Sequence, residues 1–156
     1  MTGLNGGVSY EEYLEKYGSL TYTNVGVSML PLLRQGRDLF IVHKKGEERC
    51  SVGDVVLYRR PPASYVLHRI VEVRPDSYVI LGDNCITREY GIKDSDIIGV
   101  MTGFVRGGKE HDTREKAYRL YSCIWMRFAQ PRIFCTKVLI SAKRRIRGLR
   151  NERKRT

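Results

Sequence analysis

The punctuation of this chain constrains its fold more than any other feature. Between Leu20 and Val105 the sequence is a series of short runs rich in Val, Ile, Leu, Tyr and Thr: Leu20–Val25, Asp38–His43, Asp54–Tyr58, Tyr65–Val73, Ser77–Leu81 and Ile97–Val105. They are separated by breaks at Gly36, Gly46, Gly53, Pro61-Pro62, Pro75-Asp76 and Gly107-Gly108. Apolar and β-branched runs of this length, bounded by turn residues, read as strands. Many of them at this spacing predict a mainly β fold, an antiparallel sheet rolled into a barrel-like or sandwich domain.

Helical signals flank the β region. Ser9-Tyr10-Glu11-Glu12 has the spacing of a capping box, so a short helix is expected to about Tyr17, ended by Gly18. After Gly108, Thr113 is placed to cap a helix from about Arg114 to Ala129; Pro131 interrupts it, and a second helix follows from about Arg132 to Arg147. The chain of 156 residues is thus divided into an N-terminal helix (1–19), a β domain (20–108) and an amphipathic helical tail (109–156).

Charge separates the last of these from the rest. The whole chain carries +11, and all of it falls in Ala117–Thr156, where twelve Lys and Arg accompany the single acid Glu152. Met1–Lys116 is balanced, with sixteen residues of each sign. A basic groove for nucleic acid needs positive charge on the body, so nucleic acid is disfavoured as a partner. The tail, with Trp125, Phe128 and Phe134 among its basic residues, reads first as an interfacial anchor on an anionic membrane surface, and second as a helix packed on the body or on a partner protein. No window reaches the roughly 18 apolar residues of a spanning helix, and the N-terminus lacks a secretory signal. The expected location is therefore cytoplasmic, peripheral on the membrane. Cys50, Cys85, Cys123 and Cys135 have no metal-type spacing and read as reduced thiols.

Three stretches carry candidate chemistry. Ser28 stands two residues after Gly26 and three before Pro31, in a turn that exposes its side chain and its own amide. His68 shares one face of a strand-like run with Val66 and Ile70. Asp83 and Glu89 follow the next strand in a glycine-containing loop. A serine needs a base to become nucleophilic, and a histidine base gains from a carboxylate that fixes its tautomer. Either Asp83 or Glu89 is placed to be that carboxylate; Asp83 also reads as a turn residue bonding its own loop.

The local sequences around these residues add an order. Gly26-Val27-Ser28-Met29-Leu30-Pro31, Gly53-Asp54-Val55-Val56, Leu67-His68-Arg69-Ile70, Gly82-Asp83-Asn84 and Ile97-Ile98-Gly99-Val100 follow one another along the chain. In these boxes, from about Thr21 to Phe104, the sequence resembles the signal peptidase I and LexA-type serine peptidase superfamily. The histidine places it with the archaeal and endoplasmic-reticulum type. The resemblance implies a serine endopeptidase with Ser28 as nucleophile and His68 as base. Glu89 stands six residues beyond the box aspartate, where the third member falls in the His type. Gly26, Met29 and Pro31 would shape the nucleophile turn and the substrate cleft. The substrate would be an extended peptide or preprotein, cut after small side chains, with no cofactor and no metal. Three departures stand out. Glu89 replaces the usual aspartate, Cys85 replaces an Asn or Arg, and Gly26 stands where signal peptidases often carry a serine, which leaves more of the oxyanion hole to the Ser28 amide. Neither the anchoring helix of signal peptidases nor a LexA-type DNA-binding domain is read in the sequence. A non-catalytic binding module of the same fold, and a self-cleaving switch with Gly6-Gly7 as the cut, are the alternatives.

Overall fold

At the N-terminal end, both halves of the expected capping box form. The Glu12 amide donates to Ser9 Oγ at 3.1 Å and the Ser9 amide to Glu12 Oε2 at 3.0 Å. They start helix α1 (Tyr10–Tyr17), which buries Tyr10 and Leu14 and ends at Gly18. The computed structural model describes residues 8–62, 64–136 and 138–139. Strands follow as β1 (Ser19–Thr23), β2 (Asp38–Lys44), β3 (Val55–Arg60), β4 (Ser64–Val73), β5 (Tyr78–Leu81), β6 (Glu89–Ile92), β7 (Ile97–Arg106) and β8 (Lys109–Asp112). A 3-10 turn, Asp94–Asp96, leads into β7, and helix α2 (Lys116–Arg127) follows β8.

The eight strands form one sheet in the order β1-β2-β7-β3-β4-β5-β6, with β8 paired to β7, and every pairing is antiparallel. The mainly β, antiparallel expectation holds; closure does not. β1 and β6 end the sheet and do not pair with each other, so it is not a barrel. Register shifts at Ile41/Val42, Leu57/Tyr58 and Ile70/Glu72 interrupt the ladders, and such bulges increase local twist. The sheet carries apolar clusters on both faces. Val55, Leu57 and Leu67 join Tyr10, Met29, Phe40 and Met101 on one. Val56, Tyr58 and Ile70 join Tyr78, Ile80 and Ile97 on the other. Strand β3 therefore buries alternate side chains in two cores, which is why its sequence is apolar without alternation.

Two strands have no sequence signal of their own. β6 and β8 are four residues each, Glu-Tyr-Gly-Ile and Lys-Glu-His-Asp. β8 exists because Gly107 and Gly108, at φ 59° and 77°, make a two-residue turn that folds the chain back on β7. Residues 109–112 therefore belong to the sheet and not to the tail. Thr113 does not cap α2: its amide donates to the Thr102 carbonyl, and Glu115 occupies the N-cap. The helix breaks at Phe128 and resumes over residues 129–136. Pro131 lies in the first turn of that continuation, where its missing N–H has no intrahelical partner to lose. The rest of the expected second helix lies beyond the described residues.

One face of α2 packs on the body through Tyr118, Tyr121, Ser122 and Trp125. Leu120, Ile124 and Phe128 lie on the opposite face and are exposed. Trp125, half-buried, is thus held against the body by its N–H bond to the Asp83 carbonyl and by stacking on Tyr121. No helix among the described residues is long and apolar enough to cross a membrane. All four cysteines are unpaired.

Candidate active site

A cleft of about 770 Å³ runs between the segment after β1 and the first half of β4. Its walls include Asn24, Val25, Ser28, Tyr65, Val66, Leu67 and His68, and its floor is completed by Asn84, Cys85 and Glu89. Three of the four residues singled out for catalysis therefore meet here.

Ser28 is positioned by the turn that follows β1. Gly26 takes φ 89°, a left-handed conformation that a side chain would strain, and its amide donates to Gln35 Oε1 at 2.9 Å. Asn24 reaches across the turn to the Gly26 carbonyl at 3.3 Å. From the other side, the Asn84 amide donates to the Ser28 carbonyl at 2.7 Å, and Asn84 Nδ2 to the Val27 carbonyl at 3.1 Å. The Gly82-Asp83-Asn84 box thus clamps the peptide that carries the serine. Met29 is fully buried in the core and anchors the turn from below; Gly26, Met29 and Pro31 do not line the cleft. Asn24 and Val25, which the sequence reading did not single out, line the cleft in place of Gly26, Met29 and Pro31.

His68 lies on β4, opposite Val56 of β3, and is almost completely buried. Its Nδ1 is 3.1 Å from Glu89 Oε1 and 3.5 Å from the Tyr58 hydroxyl. Its Nε2 has no hydrogen-bond partner. A carboxylate at Nδ1 selects the tautomer with the proton there and leaves Nε2 as a lone-pair acceptor. The Ser28 hydroxyl is not bonded to Nε2 in this arrangement, but Nε2 and the Ser28 carbonyl oxygen both approach Gly82. A Cβ on Gly82 would lie 2.8 Å from Nε2, 2.9 Å from the Ser28 carbonyl oxygen and 2.7 Å from Cys85 Sγ. Only glycine leaves that space open. Burial pushes the His68 pKa below its ordinary value; the neighbouring Glu89 charge opposes this and the Arg60 charge adds to it.

Glu89 opens β6, a strand the sequence does not announce, and reaches back towards β3. Burial alone would raise its pKa, but bonds from Arg60 and Tyr58 hold it below the usual carboxylate range. Arg60 Nε donates to Glu89 Oε2 at 2.9 Å, and its NH2 group to Oε1. Tyr58 and Arg60 were not singled out from sequence. Period-two alternation puts both on the His68 face of β3, and that is the signal that identifies them once strand pairing is known.

Asp83, the other candidate acid, stands elsewhere. Both its oxygens are taken: Oδ1 accepts from Arg69 Nε at 2.8 Å, and Oδ2 from Arg69 NH2 at 2.8 Å and from the Tyr121 hydroxyl at 2.9 Å. The pair is buried, with each side chain 1% exposed. Arg69 NH1 adds bonds to the Gly53 carbonyl at 2.9 Å and Ser122 Oγ at 2.6 Å, and Trp125 Nε1 donates to the Asp83 carbonyl at 2.9 Å. Desolvation would lower the Arg69 pKa, but the bond and charge of Asp83 raise it instead. Asp83 thus ties the box loop to β4 and to α2, while Glu89 is the acid on the imidazole.

Cys85 lines the cleft as a thiol, its pKa raised by burial and by the Glu89 charge. His43 is exposed on β2, and His111 stacks on Phe104. Among the described residues, no group of three or more His, Cys, Asp or Glu could hold a metal ion. Comparison with family models, curated proteins and solved structures returns no match.

Proposed function

We propose that this protein is a serine endopeptidase of the signal peptidase type, with Ser28 as nucleophile, His68 as base and Glu89 as the orienting acid. One observation supports the reading: the Nε2 of a buried histidine is unpartnered and lies at Gly82 beside the backbone carbonyl of Ser28, while a carboxylate holds its Nδ1. That arrangement is the resting state of a general base. In the reaction, His68 Nε2 takes the Ser28 proton as the oxygen attacks the scissile carbonyl. The imidazolium, stabilised by Glu89, returns the proton to the leaving amine, and water releases the acyl-enzyme. In free enzymes such hydrogen bonds are often long and tighten when substrate arrives.

The cleft also supports an extended peptide as substrate. β4 pairs with β3 from Ser64 to Arg69, but its pairing with β5 begins only at Arg69. Among the described residues, 66–68 thus have a strand partner in β3 and none on the β5 side, and a peptide strand can be added there. The reading extends to location. α2 exposes Leu120, Ile124 and Phe128 in one stripe, and twelve of the thirteen charged residues after Lys116 are basic, so an anionic membrane surface suits this end of the chain.

The missing Ser28–His68 bond favours one other reading: a module that holds a peptide in the same cleft without cutting it. A fluorophosphonate probe separates them. The peptidase labels covalently in the wild type, weakly in His68→Gln and not in Ser28→Ala. Equal labelling of wild type and Ser28→Ala removes the nucleophile assignment, and peptide binding without labelling or cleavage establishes the binding module. Gly6-Gly7, the cut of a self-cleaving switch, lies outside the described residues; an unchanged intact mass after long incubation removes that alternative.

A further inference from the structure

We propose that Arg60 is a positioning residue for this site: its guanidinium fixes Glu89 against the His68 imidazole and, as a cation on the same carboxylate, opposes formation of the imidazolium. The inference rests on the peptidase reading of the cleft.

Glu89 is a longer acid than the aspartate expected at its position, and it sits on a four-residue strand at the end of the sheet. Left alone, such a side chain would sample several rotamers, and its orientation of His68 would be weak. Arg60 removes that freedom. Its planar fork engages both carboxylate oxygens, and Oε1 also faces His68 Nδ1. The same NH2 group donates to the Tyr58 hydroxyl at 3.3 Å, and Tyr58 lies 3.5 Å from Nδ1. Arg60, Tyr58 and Glu89 thus form a bonded ring against one edge of the imidazole.

The ring has an electrostatic consequence. A free carboxylate on Nδ1 stabilises imidazolium and raises the pH at which the base becomes neutral. Here Arg60 neutralises much of that field. The groups facing His68 are Tyr58 and Arg60 from β3, Glu89 from β6, and Asp83 and Cys85 from the box loop. Asp83 is itself paired with Arg69, so Arg60 is the cation with the strongest claim on the imidazole. Tyr58 remains protonated, because burial and the Glu89 charge raise its pKa well above the ordinary phenol value. The arrangement keeps His68 a neutral acceptor into mildly acidic solution while still holding it in one orientation.

The test is an NMR titration of the His68 ring in protein carrying 13C-labelled histidine, assigned against His68→Gln, in wild type, Arg60→Gln and Arg60→Lys. In Arg60→Gln the His68 midpoint moves to higher pH. Peptide hydrolysis then follows: the ratio of rates at pH 8 and pH 6 increases by about threefold or more. Arg60→Lys keeps the charge and loses the fork, so its midpoint stays near the wild type while kcat falls at every pH. A His68 midpoint that is unchanged or lower in folded Arg60→Gln overturns the proposal, as does an equal loss of rate at all pH values. The titration needs no turnover, so it reads Arg60 even if the cleft proves not to be a peptidase; that failure appears separately, as absent fluorophosphonate labelling.

Discussion

Replacing Arg69 by methionine removes one half of the buried pair and leaves the Asp83 carboxylate enclosed by protein. In the wild type that carboxylate accepts two bonds from Arg69 and one from Tyr121. In the variant the Tyr121 hydroxyl is its remaining side-chain partner. Breaking a buried ion pair from one side costs roughly 3–5 kcal/mol, because a charge stays desolvated without compensation. Domain stabilities are about 5–15 kcal/mol, so Arg69→Met remains folded in dilute buffer but close to its limit. With a urea dependence of about 2 kcal/mol per molar, the unfolding midpoint falls by about 2 M. The protein supplies its own probe. Trp125 is the only tryptophan, it stacks on Tyr121 and its N–H bonds the Asp83 carbonyl, so its fluorescence follows the pair; circular dichroism follows the sheet. The double variant Arg69→Met/Asp83→Leu removes both charges, and most of the lost stability returns. A loss below about 1 kcal/mol for Arg69→Met would refute the reasoning, and so would a double variant whose loss is the sum of the two single ones.

The two acids separate in the same way by chemistry. Glu89→Gln lowers the acylation rate by about 10²- to 10⁴-fold with little loss of stability. The wild-type rate rises with pH as His68 becomes neutral, at a midpoint below the ordinary imidazole value of about 6.5, because burial disfavours the charged ring. Removing the Glu89 charge moves that limb to still lower pH; a shift upward would contradict the assigned contact. Gly82→Ala drives a methyl group between His68, Cys85 and the Ser28 peptide, so fluorophosphonate labelling is lost and about 1–3 kcal/mol of stability with it. Unchanged labelling would show that the serine turn and the histidine do not meet there. On the outer face of α2, changing Leu120, Ile124 and Phe128 together to serine abolishes sedimentation with vesicles rich in phosphatidylserine. Stability moves by no more than about 0.5 kcal/mol per site, and wild-type binding weakens with added salt. Equal binding to neutral phosphatidylcholine vesicles, or binding that survives the triple change, would point to a protein partner instead.

The expected runs became β1, β2, β3, β4, β5 and β7 with ends moved by a residue or two, because apolar periodicity and turn residues act locally and can be read one segment at a time. The Ser9–Glu12 box formed for the same reason. Ser28, His68 and Glu89, picked out as residue types in a fixed order, line one cleft. The closed barrel was not realised: closure depends on whether β1 and β6 meet, and no property of either strand decides that. β6 and β8 are polar, and exist because neighbours offer them free edges. The choice between Asp83 and Glu89 shows the limit most sharply. The sequence holds both acids within a few residues of each other, and only a resemblance in spacing sets Glu89 ahead of Asp83. The fold decides, by bringing Arg69 from β4 and Tyr121 from α2 onto one, and His68 and Arg60 onto the other. Those partners lie 14 to 38 residues away along the chain. The sequence determined which chemical groups the protein possesses and which segments extend or coil. Pairing across the sheet determined which groups share a low-dielectric space, and a carboxylate takes its role from the cation or imidazole it meets there.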